Sequence, residues 1–294
     1  MIPEMLQGLN PGQIAADAAY ALLVAAVLIE GSWLAVVEGR RRIRGFATAA
    51  VMGAGAVVVG IGVTAVHGWL WSGIGQLAPV PVAAYWAAHP VQEFVAAFIA
   101  WDAAGYGYHW VGHRTGIGWA SHQVHHGATR YDMSLAWRQS WAPLPALVVF
   151  PLVALCGFEF STVAVCAAMS GLYQALLHTS IVVRAPRWIE ATVMVPSTHR
   201  RHHAYGSGAV NLGPIFTIWD RLGRTWNPTA VEADERYGAT GVEDSPNPFR
   251  VEFAGWADYL RNHTTIAHLR PAVRQRITRR ADDAIAASAK ARGY

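Results

Sequence analysis

Long apolar runs separated by short polar segments dominate the first 180 residues. A membrane-spanning helix needs about 20 mostly apolar residues, and five runs approach that length. They extend from about Ile14 to Val37, from about Phe46 to Trp71 and from about Val91 to Tyr108, with two more between Trp141 and Leu177, on either side of a turn at residues 157–159. The pattern predicts an all-α integral membrane protein with about four to five transmembrane helices and a cytoplasmic helical cap.

The same pattern divides the chain into three parts. Residues 1–90 are expected to hold N-terminal transmembrane helices and an outer loop, residues 91–226 a membrane and cap domain, and residues 227–294 a hydrophilic C-terminal region. Within the last part, residues 271–294 are expected to form an amphipathic helix or a solvated tail. The start, MIPEMLQ, lacks the basic segment and cleavage site of a signal peptide, so none is expected.

Composition and charge support a membrane location and predict its orientation. Hydrophobic residues make up 53% of the chain and charged residues 14%, against about 25% charged in an average soluble domain. Four arginines lie at positions 40–44, whereas residues 1–39, 46–108 and 141–183 contain no Lys or Arg. Because basic residues favour the cytoplasm, we expect a bacterial inner-membrane protein with the N-terminus outside and residues 109–140 and the C-terminus inside. The net charge of +4 does not predict nucleic-acid binding.

Eight of the 13 histidines fall in three tight groups. Residues three or four apart share a helix face, so each group can direct its imidazoles to one point. Neutral imidazole suits divalent iron, zinc, copper or nickel, and so many ligands predict two metal ions. His178 closes the last apolar run at the same depth and is a candidate ninth ligand. The predicted ligands are His109, His113, His122, His125, His126, His178, His199, His202 and His203.

Several other polar and ionisable residues are candidates for supporting or structural roles. Asp102 lies two helical turns before His109, where an ionisable side chain inside a membrane helix is costly. It either accepts a hydrogen bond from a ligand imidazole or pairs with an arginine or tryptophan in the bundle. Glu30 in the first run shows no comparable partner. We expect Arg138 and Asn211 to support the ligands or the packing. The remaining residues singled out, all expected to be structural or on the surface, are His67, His89, His263, His268 and Asp220.

The three histidine groups resemble the histidine boxes of the fatty acid hydroxylase/sterol desaturase superfamily, which are membrane-bound non-haem di-iron enzymes. The resemblance covers about residues 102–226: Asp102 followed by His109 and His113, then HQVHH at 122–126, then HRRHH at 199–203 and NLGPIFTIWDRLG at 211–223. His178 matches an additional family histidine. Two departures stand out: Ser140 and Trp141 replace a histidine and proline common after the arginine that matches Arg138, and Leu212 replaces a common tyrosine.

The resemblance implies an O2-dependent hydroxylase with two iron ions, in which zinc could take the place of iron, and makes residues 91–226 the catalytic domain. The substrate it implies is apolar, such as a lipid, sterol or carotenoid taken from the membrane. The chain shows no haem-binding, clustered-cysteine or G-x-G-x-x-G segment. An external electron donor, a ferredoxin, a reductase or a cytochrome b5-like protein, is therefore implied.

Three other functions remain open. A desaturase of the same superfamily would carry the same boxes. A zinc-binding membrane hydrolase or isomerase would keep the metals without oxygen chemistry. A metal transporter would place its ligands near the bilayer midplane, whereas these histidines follow the inner ends of the predicted helices.

Overall fold

The computed structural model describes residues 11–181, 185–229, 231 and 235–265. The helix or tail expected at residues 271–294 lies outside these residues. The described part is helical and contains no strand, only isolated bridges between Val193 and Phe216 and between Ala204 and Tyr237. Its α-helices are α1 (Pro11–Glu38), α2 (Arg40–Gly75), α3 (Val80–Ala88), α4 (Pro90–Arg114), α5 (Gly116–His126), α6 (Leu144–Val149), α7 (Phe160–Leu177), α8 (Arg187–Glu190), α9 (Pro196–His203), α10 (Ile218–Leu222) and α11 (Pro248–Thr265), with 3-10 helices at Met133–Trp137 and Phe150–Cys156.

Three of the described helices are long and apolar enough to cross a membrane, through Ala21–Glu38 in α1, Ile43–Gly75 in α2 and Phe160–Leu177 in α7. The prediction of an all-α integral membrane protein is confirmed, but three such helices are fewer than the predicted four to five. The third predicted span lies in α4, which has 25 residues but buries Glu93 and Asp102.

The fourth predicted span is broken into two short pieces. Helix α6 and the 3-10 helix Phe150–Cys156 together form an apolar segment of 13 residues, Leu144–Cys156, which is shorter than the ~20 residues a spanning helix needs. Prolines stand at or near the start of both pieces, at positions 143, 145 and 151. Proline removes a backbone donor and interrupts a continuous helix.

The long helices converge at the end where the histidines lie. Helix α7 packs on α1 and α4, while α4 also packs on α5, and α5 packs on α11. At the opposite end, Trp71, Ala97, Phe158 and Cys166 belong to one buried apolar cluster. This cluster packs the helices together and leaves the C-terminal ends of α4 and α7 to carry polar side chains.

A tight turn folds α5 back against the end of α4. Thr115 caps α5, because its hydroxyl accepts a hydrogen bond from the Gly118 amide at 3.0 Å. A Cβ atom at position 118 would overlap the carbonyl oxygen of Val111, so only glycine permits this close approach. The turn brings the histidines of α5 beside those of α4.

Candidate metal centre

The first cluster of imidazoles joins residues from three helices. Its members come from α4, α5 and α9, and one ring nitrogen from each lies within 4.8 Å of the corresponding nitrogen of every other member. His202 Nε2 lies 3.0 Å from His109 Nε2 and 3.0 Å from His126 Nε2, and His126 Nε2 lies 3.1 Å from His122 Nε2. We call this set the five-histidine group: His109, His113, His122, His126 and His202.

The second cluster uses four imidazoles, again with one nitrogen of each within 4.8 Å of the others. Its centre is His178, at the C-terminal cap of α7. His178 Nε2 lies 3.1 Å from His125 Nε2 and 3.1 Å from His199 Nε2. We call this set the four-histidine group: His125, His178, His199 and His203. The structure thus brings all nine predicted ligands together, as two separate groups.

Backbone carbonyls determine which ring nitrogen carries hydrogen in both groups. His109 Nδ1 lies 2.8 Å from Leu212 O, and His202 Nδ1 lies 2.8 Å from Val210 O. A carbonyl oxygen only accepts hydrogen bonds, so both Nδ1 atoms donate and both Nε2 atoms of the neutral rings present lone pairs. These two lone pairs face each other at 3.0 Å, and no hydrogen atom is available to join them.

The four-histidine group repeats this arrangement. His178 Nδ1 donates to Gln174 O at 2.8 Å and His125 Nδ1 donates to Leu135 O at 3.2 Å, so their Nε2 lone pairs face each other at 3.1 Å. Burial lowers the pKa of His125 well below its ordinary value, and the neighbouring His178 lowers it further. A shared proton is therefore disfavoured, and a cation between the rings is the remaining way to satisfy both nitrogens.

Other buried nitrogens also lack partners within the described part of the chain. His113 Nε2, His203 Nε2 and His199 Nδ1 are inaccessible to solvent and make no hydrogen bond there. Burial lowers the pKa of His199 and of His203 well below the ordinary value, so both rings are neutral ligands at neutral pH. Two ligands on one ion, each about 2.1 Å from it at a right angle, lie about 3.0 Å apart. The nitrogens therefore fit two metal ions in both chemistry and spacing.

The loop at residues 210–213 supplies the two carbonyl acceptors of the five-histidine group. Side-chain hydrogen bonds hold this loop in place. Asp220 accepts hydrogen bonds from the amides of Leu212 and Gly213 at 2.7 and 2.8 Å. Asn211 adopts a positive φ of 53°, which asparagine tolerates better than most residues, and its side-chain amide donates to Thr198 O at 2.9 Å. Asp220 and Asn211 thus hold the loop whose carbonyls orient two of the candidate ligands, a supporting role that also tunes a bound metal.

Asp102 contacts tryptophan and backbone rather than an imidazole. Its carboxylate accepts hydrogen bonds from the amides of Ile215 and Phe216 at 3.0 and 3.1 Å and from Trp219 Nε1 at 2.8 Å. The alternative in which Asp102 bonds directly to a ligand imidazole is therefore wrong. Asp102 acts on His109 indirectly. It anchors residues 215 and 216, which follow Leu212 in the chain, and the Leu212 carbonyl accepts the hydrogen bond from His109.

Replacing Asp102 with asparagine is expected to weaken metal binding about 10- to 100-fold, the range seen when groups behind metal ligands are changed. Asparagine replaces one acceptor oxygen with an NH2 group. That group then faces at least one of the three N–H donors that bond to Asp102. Competition with a chelator measures the affinity. Asp258→Asn, an exposed carboxylate on α11, is the matched control. Equal affinity for Asp102→Asn and wild type would refute the anchoring role.

Residues that the sequence did not single out surround the four-histidine group. Arg200 Nη2 donates to Thr179 O and Ser180 O, both at 2.9 Å, and its guanidinium lies 4.4 Å from the centre of the Tyr131 ring. The Tyr131 hydroxyl donates to Leu177 O at 2.8 Å. Together they fix the chain around His178. Arg200 lies inside a histidine box, but only the fold shows what it contacts.

Glu30 also supports the four-histidine group, contrary to the prediction made for it. No comparable partner was predicted for it, yet its carboxylate accepts hydrogen bonds from the Met133 amide at 2.5 Å, from the Thr179 hydroxyl at 2.8 Å and from the Ser180 amide at 2.7 Å. The partners are backbone amides and hydroxyls, which carry no signature in a sequence. The sequence did contain one indication of a role for Glu30, because an ionisable residue inside an apolar run is costly without a partner.

The other histidines lie away from both groups. His67 in α2 is 3.1 Å from Ala146 O, and His89 stacks on Tyr85 with ring centres 4.2 Å apart. The side chain of His263 and all of His268 lie outside the described part of the chain.

A cavity of about 480 Å³ borders both histidine groups. His113, His126, His202 and His203 lie along it, and the segments 204–209 and 238–240 form its rim.

These observations define a class: a helical membrane protein with a histidine-rich metal-binding centre at the ends of its helices. Comparison with known proteins agrees, since residues 94–225 match the fatty acid hydroxylase family. This segment contains all nine clustered histidines. Residues 94–225, a little under half of the chain, thus match the fatty acid hydroxylase family, and the predicted resemblance to the fatty acid hydroxylase/sterol desaturase superfamily is confirmed.

Three relatives are alkylglycerol monooxygenases. The Danio rerio protein is 35% identical over 170 residues, covering 53% of this chain and 35% of the relative. The Homo sapiens protein is 30% identical over 159 residues with the same coverages, and the Caenorhabditis elegans protein is 27% identical over 151 residues, covering 50% and 30%. The chain spans about a third of the length of these curated relatives. No solved structure matches it.

Proposed function

We propose that this protein is an O2-dependent di-iron hydroxylase that acts on a lipid or similar apolar molecule from the membrane. One observation carries the proposal: imidazole lone pairs face each other at 3.0–3.1 Å in two adjacent groups, within a segment that matches the fatty acid hydroxylase family. The five-histidine group would hold one ion and the four-histidine group the other.

Iron is the metal we propose, and O2 the co-substrate. Bound iron would supply the activation of O2 that attack on an unactivated C–H bond requires. Imidazole ligands suit iron and zinc alike, so zinc would enter the same sites without supplying that oxygen chemistry. Backbone carbonyls of Leu135, Gln174, Val210 and Leu212 hold four of the nine rings in one tautomer and orientation.

The substrate class follows from the relatives and from the membrane helices. The relatives' name, alkylglycerol monooxygenase, supports an alkylglycerol or a related lipid as the first substrate to test. Helices α4 and α7 both deliver ligands at their C-terminal ends, so a molecule dissolved in the bilayer would approach the metals between helices.

We further propose an inner-membrane orientation with the N-terminus outside and the metal centre in the cytoplasm. The arginine cluster at residues 40–44 and the basic-inside tendency support it. Cytoplasmic metals would receive electrons from a separate ferredoxin, reductase or cytochrome b5-like protein. We expect this partner because the chain lacks cofactor-binding sequences for such a role.

Labelled oxygen tests this function directly. Cells that express the protein are grown under labelled O2, and their lipid extracts are compared with those from cells that express the His203→Ala variant. We expect a lipid that has gained one labelled oxygen atom, present only with the intact protein. Purified, iron-loaded protein with a reducing system should convert an added alkylglycerol and incorporate the label.

Other outcomes would decide between the alternatives. A product that lacks two hydrogens and carries no label would identify a desaturase. Stoichiometric zinc in anaerobically purified protein, together with activity that needs neither iron nor O2, would identify a zinc hydrolase or isomerase. Unlabelled lipids in both cell lines and no conversion by the iron-loaded protein would refute the proposal.

A further inference from the structure

A second cavity lies where the two N-terminal membrane helices meet, away from the interior of the metal centre. It has a volume of about 260 Å³ and lies between the end of α1, the start of α2, and residues of the segments 128–138 and 244–246. We propose that this cavity binds the anionic headgroup of a membrane phospholipid. The proposal concerns a site outside the catalytic centre and does not depend on the reaction proposed above.

Its position matches the level of lipid headgroups. Leu34 in α1 and Phe46 in α2 line the cavity, and both helices are long and apolar enough to span a membrane. Val36 and Ile43 beside it are 87% and 52% exposed, as expected of side chains that face lipid. The cavity therefore opens where the apolar surface of these helices ends.

The charge of the cavity favours an anion. Three arginines line it, Arg44, Arg130 and Arg138, against two aspartates, Asp132 and Asp244. Arginine presents a planar group of donors that matches the oxygens of a phosphate. In addition, α2 begins without a side-chain cap, and the N-terminal end of a helix carries partial positive charge that attracts anions.

Arg138 is held at the wall of the cavity by its own hydrogen bonds. Arg138 is 3% exposed; its Nε donates to Val124 O at 3.1 Å and its Nη1 to Asp244 at 3.0 Å. Its Nη2 lies beside Gly127 and Gln123, away from the residues that line the cavity. Arg138 therefore contributes positive charge to the cavity wall, and the residues proposed to contact the anion are Arg44 and Arg130.

The volume of the cavity suits a lipid headgroup and is too small for a whole lipid. Pockets that enclose a complete small molecule measure about 300–1,000 Å³, and this cavity of about 260 Å³ is smaller. A phosphate with its glycerol fits, while the acyl chains extend along the exposed faces of α1 and α2. A choline headgroup would add a second cation beside the arginines, so an anionic lipid is favoured over a zwitterionic one.

The floor of the cavity connects the lipid to the metal centre. Ser134 and Leu135 line it, and Leu135 O accepts the hydrogen bond from His125 Nδ1 at 3.2 Å. A bound headgroup would hold this 3-10 segment in place and steady one ligand of the four-histidine group.

Titration of the purified full-length protein with dihexanoyl phosphatidylglycerol, followed by thermophoresis, tests the proposal. The double variant Arg44→Gln/Arg130→Gln should bind about 25-fold more weakly, because each arginine near an anionic lipid contributes about a fivefold factor. Arg187→Gln, an exposed arginine on α8, should bind like wild type. Dihexanoyl phosphatidylcholine should bind at least tenfold more weakly than phosphatidylglycerol.

Three results would overturn the proposal. They are the absence of saturable phosphatidylglycerol binding, equal binding by the double variant and wild type, and equal affinity for the two lipids. Inorganic phosphate that binds as tightly as phosphatidylglycerol would assign the site to free phosphate and overturn the lipid assignment. The measurement needs no turnover, so its result is independent of whether the protein hydroxylates a lipid.

Discussion

A chain that carries His203→Ala is expected to bind one iron ion in place of two and to form no hydroxylated product. His203 belongs to the four-histidine group, and its Nε2 is buried without a partner in the described part of the chain. Removing it leaves three imidazoles for that ion and an empty space beside them. Because both ions are needed for the proposed reaction, the loss of either one should reduce product below detection.

The companion variant His202→Ala should remove the other ion. His202 Nε2 lies 3.0 Å from both His109 Nε2 and His126 Nε2, so it is central to the five-histidine group. Iron per chain is measured by elemental analysis after anaerobic loading, and product by the labelled-oxygen assay. His89→Ala is the control, since His89 lies outside both groups and bonds to its own helix at Tyr85 O. It should keep both ions and full activity.

Each result separates the proposed site from a merely structural role. If His203→Ala folded, kept two ions per chain and stayed fully active, the assignment of the four-histidine group would be wrong. If the variant bound no iron at all, the two groups would load as one unit, and a single ion would not bind alone. Far-ultraviolet circular dichroism of the purified variants shows whether the helices remain intact.

The nine clustered histidines could be predicted from the sequence as candidate ligands, but their division into two groups could not. Spacings of three and four residues place histidines on one helix face, which is visible in the three boxes. Adjacent residues on a helix, however, point about 100° apart. His125 and His126 therefore enter different groups, as do His202 and His203. Only the arrangement of α4, α5, α7 and α9 in the fold shows which imidazoles could share an ion.

The membrane architecture shows a similar limit. Apolar runs correctly indicated α1, α2 and α7, because span length and hydropathy are local properties of a sequence. The run after Trp141 failed as a continuous span, since prolines divide it into short helical pieces. The carbonyls that orient the imidazoles could not be predicted either, because any residue supplies a carbonyl and only the fold decides which one lies within hydrogen-bond distance.

Glu30 gives the largest expected effect on stability. Its side chain is 9% exposed and joins two segments that flank the four-histidine group: Met133 lies two residues before Leu135, and Thr179 follows His178. Glu30→Ala would leave two backbone amides without an acceptor, the buried amide of Met133 and the half-buried amide of Ser180. At about 1–3 kcal/mol for each unsatisfied group, the free energy of unfolding should fall by roughly 3 kcal/mol.

The conservative variant separates packing from hydrogen bonding. Glu30→Gln keeps the volume but places an NH2 group against one of the two backbone amides, so it should lose about half as much stability as Glu30→Ala. Both variants should lose iron from the four-histidine group before the five-histidine group, because the Met133–Trp137 segment and His178 shift first. His202→Ala in the same background isolates the four-histidine group for the measurement.

Thermal unfolding in detergent and iron retention during chelator challenge test these expectations together. Glu38→Ala, which removes an exposed carboxylate at the end of the same helix, should change neither measurement appreciably. A lowered melting temperature with unchanged iron retention would assign Glu30 a purely structural role. Unchanged values for both measurements in Glu30→Ala would contradict the link between α1 and the metal centre, because the four hydrogen bonds to this carboxylate are the direct polar connection between them.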